Sequence, residues 1–337
     1  MKSNKKKIKH SLKWVWWFIA IVILIIVSSI LIFWARQPKI LGTTVNTNYT
    51  VESFNFGLYK TALYYPSGTT QFSPPYPVIV FHHGMMAKYD YYAWFAEAMV
   101  KKGYIVVLPN RLLLGVNLDA GANLTNYLLS YLSIRNRFSA SLRNKVDLTR
   151  VGVAGHSMGA DVTLYGANLM PKSPINIRAL LAIAPASKDT DAMKVVAGIT
   201  RNMPLGKYIE TTMNKLYNAI VTTQKPIMYL VGSLDGISTT KATQTLYDMT
   251  KSKKMLAIIK GANHVQFSPT GTVEGDRTEE QLDIKPTIPS NEVFRLTILY
   301  GGAWFDYMVK GDQSAKLILE QGKSLYPNTF TNYSLAY

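Results

Sequence analysis

Short runs of aliphatic and β-branched residues alternate with longer helical patterns along most of the chain. The apolar runs cover residues 77–81, 104–108, 151–154, 179–183, 227–231 and 255–259. The helical patterns between them cover residues 91–102, 122–136, 158–169 and 239–250. Continuous apolar runs of this length are typical of strands that are buried on both faces of a parallel sheet. The pattern therefore predicts an α/β fold with a mostly parallel, doubly wound sheet and helices on both faces.

The amino-terminal region has a different pattern. Residues 14–34 contain no charged residue and carry tryptophans at both ends. As a helix at about 1.5 Å per residue, this segment would span about 30 Å, the thickness of the hydrocarbon core of a bilayer. Lysines are concentrated in residues 1–13, so the positive-inside rule predicts a basic cytoplasmic tail (1–13), a single-pass transmembrane anchor (14–34) and an extracytoplasmic remainder. A cleaved signal peptide is the alternative, but its apolar core would be shorter and would end at a small-x-small site.

Two further segments interrupt the alternation of strands and helices. Residues 35–58 are polar and rich in Thr and Asn, which indicates either a tether or an edge hairpin ahead of the main domain, residues 59–337. Residues 188–224 separate two predicted strands and show helical periodicity at 192–199 and 208–220. An insertion after the carboxyl end of a strand lies over the ligand-binding edge of a parallel sheet. We therefore predict a cap over the site, with a long surface connection as the alternative.

Composition excludes several classes of function. The 337-residue chain has no cysteine, so disulfide scaffolds, thiol nucleophiles and cysteine-ligated metal sites are ruled out. The formal net charge is +17, but no nucleic-acid-binding motif accompanies it. We therefore expect contact with a membrane or cell-wall surface and no nucleic-acid partner. Paired histidine ligands, a phosphate-binding loop and a dinucleotide fingerprint are missing from the sequence, so we predict neither a metal nor an organic cofactor.

A candidate nucleophile lies at the end of the third predicted strand. Residues 155–159 read Gly-His-Ser-Met-Gly and connect this strand to the next predicted helix. Such a turn forces the serine into a strained conformation at the positive end of a helix dipole, with small residues on either side. We predict that Ser157 is a nucleophile. A structural serine in a glycine-rich turn is the alternative.

The base and the acid follow from chain order. Sites built on this turn carry an acid and then a histidine further along the chain, and His264 is the only histidine after Ser157. It ends a Gly-Ala-Asn-His loop directly after the last predicted strand, where an imidazole can reach the serine. Asp235 follows the preceding strand and is the predicted acid, with Asp189 and Asp191 as alternatives.

An oxyanion hole requires two backbone amides that point at the developing negative charge. One should come from Met158, directly after the nucleophile. The other should come from Met85, in the loop that follows the first predicted strand and begins His-His-Gly at residues 82–84.

From about residue 59 to residue 310 the chain resembles the α/β-hydrolase superfamily. The resemblance is carried by the loop 82–84, the serine turn 155–159, the Gly-Ser-Leu-Asp-Gly turn 232–236 and the histidine loop 261–264, in that order. Residues 261–267, followed by Gly271, Gly275 and Asp276, are similar to the histidine loop of the esterase-like alpha/beta hydrolase family 5 proteins. Platelet-activating-factor acetylhydrolases and dienelactone-hydrolase-like proteins show a more distant likeness.

The resemblance implies a Ser157–Asp235–His264 triad and an oxyanion hole made by the amides of Met85 and Met158. The anchor and the 188–224 segment depart from the minimal pattern of the family, so the resemblance does not carry over a substrate. We expect a membrane-anchored serine hydrolase that cleaves a small-molecule or lipid-like carboxylic ester through an acyl-enzyme. The alternatives are an amidase or acyltransferase with the same triad and a non-catalytic surface-binding module.

Overall fold

One ten-stranded sheet organises the computed structural model. The structure describes residues 21–24, 27–28, 38, 40–56, 59–85, 87–110, 117–169, 174–186, 204–268 and 283–336. The strands are β1 (Ile40–Val45), β2 (Tyr49–Phe56), β3 (Tyr59–Pro66), β4 (Tyr76–His82), β5 (Ile105–Pro109), β6 (Val146–His156), β7 (Ile177–Ile183), β8 (Ile227–Gly232), β9 (Lys254–Ile259) and β10 (Phe330–Ala336).

The centre of the sheet is parallel and its margins are antiparallel. The spatial order is β1-β2-β3-β5-β4-β6-β7-β8-β9-β10. All neighbours from β5 to β9 pair in parallel. The pairs at the two margins, β1–β2, β2–β3, β3–β5 and β9–β10, are antiparallel. The predicted α/β class and mostly parallel sheet are therefore confirmed.

Seven α-helices of the described chain cover the sheet. They are α1 (Ala93–Lys101), α2 (Leu118–Phe138), α3 (Met158–Gly166), α4 (Pro204–Thr222), α5 (Thr240–Met249), α6 (Ser290–Phe305) and α7 (Gln313–Leu325). Helices α1 and α7 both contact α6, whereas α2, α3, α4 and α5 form a second series in which each helix contacts the next. Every residue of β4, β5 and β8 is buried between the helices, which explains why these strands are continuous apolar runs.

For the polar segment 35–58, the described residues form the hairpin and not the tether. All eight residues of β2 pair with β3. The sheet therefore begins before residue 59, the predicted start of the main domain. A charged residue, Glu52, interrupts the apolar pattern that would otherwise predict this strand. Glu52 occupies a buried position of β2 and accepts a hydrogen bond from the guanidinium of Arg135 on α2.

Two predicted segments lie largely outside the described residues. Of the anchor 14–34, only residues 21–24 and 27–28 are described, and both pieces are helical. Among the helices that could be searched, none combines the length and the apolar character needed to cross a bilayer. In the predicted cap, α4 contacts α3 and α5, whereas residues 188–203 are outside the described ranges.

Candidate active site

Ser157 lies in a one-residue turn between β6 and α3. Its backbone has φ +53° and ψ −127°, a combination that residues other than glycine rarely adopt. The turn is held from both sides, because the Ser157 N–H donates to the carbonyl of Ile183 on β7 at 2.9 Å and the Ser157 carbonyl accepts the Ala160 N–H at 2.8 Å. The serine is therefore fixed at the carboxyl edge of the sheet and at the amino end of a helix.

Two glycines allow this turn to be so tight. A Cβ on Gly155 would lie 2.2 Å from the carbonyl of Gly159, and a Cβ on Gly159 would lie 2.1 Å from the carbonyl oxygen of His82 on β4. Neither distance is sterically possible, so any side chain at these positions would push β6, α3 and β4 apart. The sequence pattern around Ser157 therefore has a direct packing cause.

His264 and Asp235 form a buried hydrogen-bonded pair at the same edge of the sheet. The Nδ1 atom of His264 lies 3.0 Å from Oδ2 of Asp235, and both side chains are almost completely excluded from solvent. The other oxygen of Asp235 accepts the backbone N–H groups of Ile237 and Ser238, which fixes the carboxylate. Because Nδ1 is bonded to Asp235, Nε2 is the ring nitrogen that would exchange a proton with a hydroxyl.

The turn after β8 and the loop after β9 are locked together. Leu234 donates its N–H to the carbonyl of Ala262 at 2.8 Å, and Gly261 donates its N–H to the Ser233 hydroxyl at 2.9 Å. A Cβ on Gly232 would lie only 2.2 Å from the carbonyl oxygen of Ala262, so this contact also needs glycine. Asp235 and His264 are therefore held by their backbones as well as by their own hydrogen bond.

His156 lies between the serine turn and the histidine loop. Its ring centroid is 4.7 Å from that of His264, and its Nδ1 shares a 2.8 Å hydrogen bond with the hydroxyl of Tyr92. The same hydroxyl accepts the N–H of Gly84 at 3.2 Å. Burial, and next the neighbouring His264, hold the pKa of His156 well below its ordinary value, so this ring is neutral at neutral pH. Tyr92 and His156 thus connect the loop after β4 to the serine turn.

Of the two residues predicted to form an oxyanion hole, Met158 directly follows Ser157 and Met85 directly follows Gly84, which packs against Ser157. Met158 is the first residue of α3, so its amide is at the helix amino terminus. Gly84 lies so close to Ser157 that a Cβ added there would be 3.3 Å from the Cβ of the serine, and Met85 comes next in the chain. Met85 is 44% exposed, which leaves its side chain at the surface.

Asp189 and Asp191, the two alternatives to Asp235 as the acid, lie outside the described residues. Asp283, which no sequence motif marks, contacts both the turn of Asp235 and the loop of His264 in the structure. Its carboxylate accepts the N–H groups of Gly236 and Val265, which follow Asp235 and His264 directly. Within the ranges that the structure describes, no group of histidine and acidic side chains is arranged to hold a metal ion.

A serine turn at the carboxyl edge of a parallel sheet, followed along the chain by an aspartate and a histidine, is the arrangement of the α/β-hydrolase superfamily. The comparison with known proteins confirms the resemblance to serine esterases of this superfamily. A family model described as PET hydrolase-like matches residues 41–202, which is just under half of the chain. The match includes Ser157 and ends before Asp235 and His264.

Individual relatives agree with the family match. Bis(hydroxyethyl) terephthalate hydrolase from Streptomyces coelicolor is 27% identical over 154 residues, covering 46% of this chain and 45% of that protein. Cutinase 1 from Thermobifida cellulosilytica is 29% identical over 93 residues, covering 28% of this chain and 33% of that protein. A cutinase from Thermobifida alba is 28% identical over 123 residues, covering 36% of this chain and 38% of that protein. The chain thus spans less than half the length of these relatives, and the finer likeness to family 5 stays a prediction.

Proposed function

We propose that the protein is a membrane-anchored serine hydrolase that cleaves carboxylic esters through an acyl-enzyme intermediate. The observation that carries the proposal is the buried Asp235–His264 hydrogen bond beside the strained turn of Ser157. A serine hydroxyl is a weak nucleophile near neutral pH and needs an adjacent imidazole to take its proton. The three side chains supply the nucleophile, the base and the group that orients the base.

Each residue has a defined role in the proposed reaction. The Oγ of Ser157 attacks the ester carbonyl while Nε2 of His264 accepts its proton. Asp235 keeps the imidazole in one orientation through Nδ1 and stabilises the imidazolium. The amides of Met85 and Met158 donate to the oxyanion of the tetrahedral intermediate. His264 then protonates the leaving alcohol, and water, activated by the same imidazole, hydrolyses the acyl-enzyme.

The relatives support a carboxylic ester as the substrate class. One relative is named for bis(hydroxyethyl) terephthalate and two are named cutinases, so this diester belongs in the first substrate set. A series of p-nitrophenyl esters with increasing acyl length would then define the preferred acyl group.

Location is the second part of the proposal. The uncharged segment 14–34, with tryptophans at both ends and lysines before it, supports a single-pass anchor with residues 1–13 in the cytoplasm and the hydrolase domain outside. We also propose that residues 188–224 cap the site, because they follow the carboxyl end of β7, at the edge where Ser157 lies.

Ester kinetics test the chemical part of the proposal. The full-length protein in detergent should release p-nitrophenol in a burst followed by slower turnover, because an activated p-nitrophenyl ester acylates the serine faster than water hydrolyses the acyl-enzyme. Ser157→Ala should lose both phases, with kcat at least about 10³-fold lower. Ser130→Ala, which changes an exposed serine on α2, is the matched control and should keep both phases. Equal rates for the wild type and Ser157→Ala would refute the proposal.

A further inference from the structure

We propose that Asp283 is a positioning residue. Its carboxylate links the turn that contains Asp235 to the loop that contains His264, and so keeps these two side chains at hydrogen-bonding distance. This inference rests on the proposed esterase function, because it concerns the same site. It assigns a role to a residue that no sequence motif marks.

The carboxylate of Asp283 bridges the two loops through two backbone hydrogen bonds, and these two contacts are called the bridge below. One oxygen of Asp283 accepts the N–H of Gly236 at 2.8 Å, and the other accepts the N–H of Val265 at 3.0 Å. Gly236 directly follows Asp235, and Val265 directly follows His264. The bridge therefore holds the two backbone positions next to the two catalytic side chains, and any change in their separation would strain the 3.0 Å hydrogen bond between His264 and Asp235.

The segment that carries Asp283 is itself attached to the histidine loop. The carbonyl of Ile284 accepts a hydrogen bond from Asn263 at 2.8 Å, and the carbonyl of Ile288 accepts one from Gln266 at 2.7 Å. The Thr287 N–H donates to the carbonyl of Gly261 at 2.9 Å. The N–H of Ile284 also donates to the first oxygen of Asp283 at 2.9 Å, which orients the carboxylate. These contacts give the bridge a fixed support.

Only a carboxylate satisfies this arrangement. Two N–H groups approach two different oxygen atoms, whereas an amide of the same shape would turn an NH₂ group toward one of them. The negative charge also faces Asp235 and His264, with His156 packed against the ring of His264. Burial, opposed by the two backbone hydrogen bonds and reinforced by the charge of Asp235, raises the pKa of Asp283 above its ordinary value. Because the pKa of Asp283 is raised in the folded state, the stability that its protonation contributes is lost as the pH rises through that pKa.

Asp283→Asn keeps the volume of the side chain but removes its charge and one of its two acceptor oxygens, so it tests the bridge without creating a cavity. We expect kcat for p-nitrophenyl ester hydrolysis to fall about 10- to 100-fold with KM nearly unchanged, since a small misplacement of catalytic groups slows the chemical step. The acidic limb of the kcat–pH profile should move to lower pH, because the variant lacks a negative charge that favours the protonated imidazole.

Asp147→Asn is the matched control. Asp147 also accepts a backbone N–H, from Thr149 at 2.9 Å, and an arginine, Arg150, but it lies near the amino end of β6, away from Ser157. A purely structural role predicts that both variants lower the melting temperature and that neither shifts the pH profile. An unchanged kcat and pH profile in folded Asp283→Asn would therefore overturn the inference, while an active wild type would leave the esterase proposal intact. A wild type without ester turnover would instead refute the esterase proposal itself.

A measurement on the wild type keeps the inference testable if Asp283→Asn fails to fold. In a pH titration followed by NMR, the amide resonances of Gly236 and Val265 should move together in the acidic range, because one carboxylate accepts both N–H groups. Separate midpoints for the two amides, or no movement of either, would show that the bridge does not exist.

Discussion

At the residue scale, the backbone of Ser157 is the feature from which the site is built. The chain must leave β6 and enter α3 within one residue, and the result is φ +53° at a residue that has a side chain. Such a conformation costs about 1–3 kcal/mol and persists only where the surroundings fix it. Here Gly155 and Gly159 allow the close packing, and the hydrogen bond to Ile183 holds the turn. The backbone strain therefore arises where the fold places the side chain of Ser157, the proposed nucleophile.

This strain predicts an unusual order of stabilities. Ser157→Gly should be more stable than Ser157→Ala by about 1 kcal/mol, because relief of about 1–3 kcal/mol of strain exceeds the entropy cost of glycine, about 0.5–1 kcal/mol. Urea unfolding of the two inactive variants measures the difference. At Ser130, in the exposed part of helix α2, the order should be reversed. An alanine variant at 157 as stable as the glycine variant would contradict the strain.

At the scale of secondary-structure elements, a buried ion pair attaches β2 to the body of the domain. Glu52 on β2 accepts hydrogen bonds from Arg135 on α2 and from the Tyr65 hydroxyl on β3, and both charged side chains are more than nine-tenths buried. Burial by itself would raise the pKa of Glu52, but the hydrogen bonds from Arg135 and Tyr65 and the charge of Arg135 lower it below the ordinary value. The pair therefore favours the ionised carboxylate in the folded state.

The lowered pKa gives a pH dependence with a defined sign. Glu52 stabilises the fold above the ordinary glutamate value of 4.5, and this contribution is lost as the pH falls through the lower value of the folded state. Glu52→Gln should cost about 3–5 kcal/mol at pH 7, because it leaves the buried Arg135 without its counter-charge. Its unfolding free energy should also fall less steeply in acid than that of the wild type.

Chemical unfolding at pH 7 and in acid checks this prediction against a matched variant. Glu292→Gln removes an exposed partner of Arg295 on α6 and should cost less than about 1 kcal/mol. If Glu52→Gln were as mild as Glu292→Gln, the attachment of β2 would not depend on the ion pair.

How far the elements could be predicted from sequence depends on where their partners lie. Strands such as β4 and β8 are buried on both faces, so their residues alone mark them. The sequence does not distinguish a tether from a hairpin at β2, because the buried Glu52 breaks the apolar pattern. Arg135, which neutralises Glu52, is 83 residues away. β10 carries mostly half-exposed residues at the sheet margin and shows no apolar run.

The same distinction holds for the site. The sequence alone predicts three of the site residues, because they lie in short motifs at strand ends: Ser157, Asp235 and His264. Tyr92 forms a hydrogen bond with His156, 64 residues away, and Asp283 accepts one from Gly236, 47 residues away. Contacts between residues so distant in sequence are visible only in the folded chain.

At the scale of the whole molecule, the proposed anchor and the hydrolase domain are separate parts of one chain. The lysine-rich tail contributes to the net charge of +17, and the first strand, β1, begins at Ile40, after the apolar segment 14–34. An anchor that ends before the first strand should leave folding of the sheet independent of the bilayer. The tail and the apolar segment can therefore be removed in turn.

Deletion of residues 1–36 should release the protein from the membrane fraction without changing kcat on a p-nitrophenyl ester. Deletion of residues 1–13 alone should leave it membrane-bound, because the apolar segment that drives insertion remains. Carbonate extraction followed by centrifugation distinguishes the variants. Recovery of the 1–36 deletion in the membrane pellet, or release of the full-length protein by carbonate, would contradict the proposed anchor.

The central claim is that Ser157 is activated by His264 and Asp235, and covalent labelling tests it most directly. A fluorophosphonate probe should form one adduct, located on Ser157 by peptide mass spectrometry. Labelling should be absent in Ser157→Ala and greatly slowed in His264→Ala and Asp235→Asn. A folded wild-type protein that stays unlabelled, or an adduct on another serine that persists in Ser157→Ala, would contradict the claim.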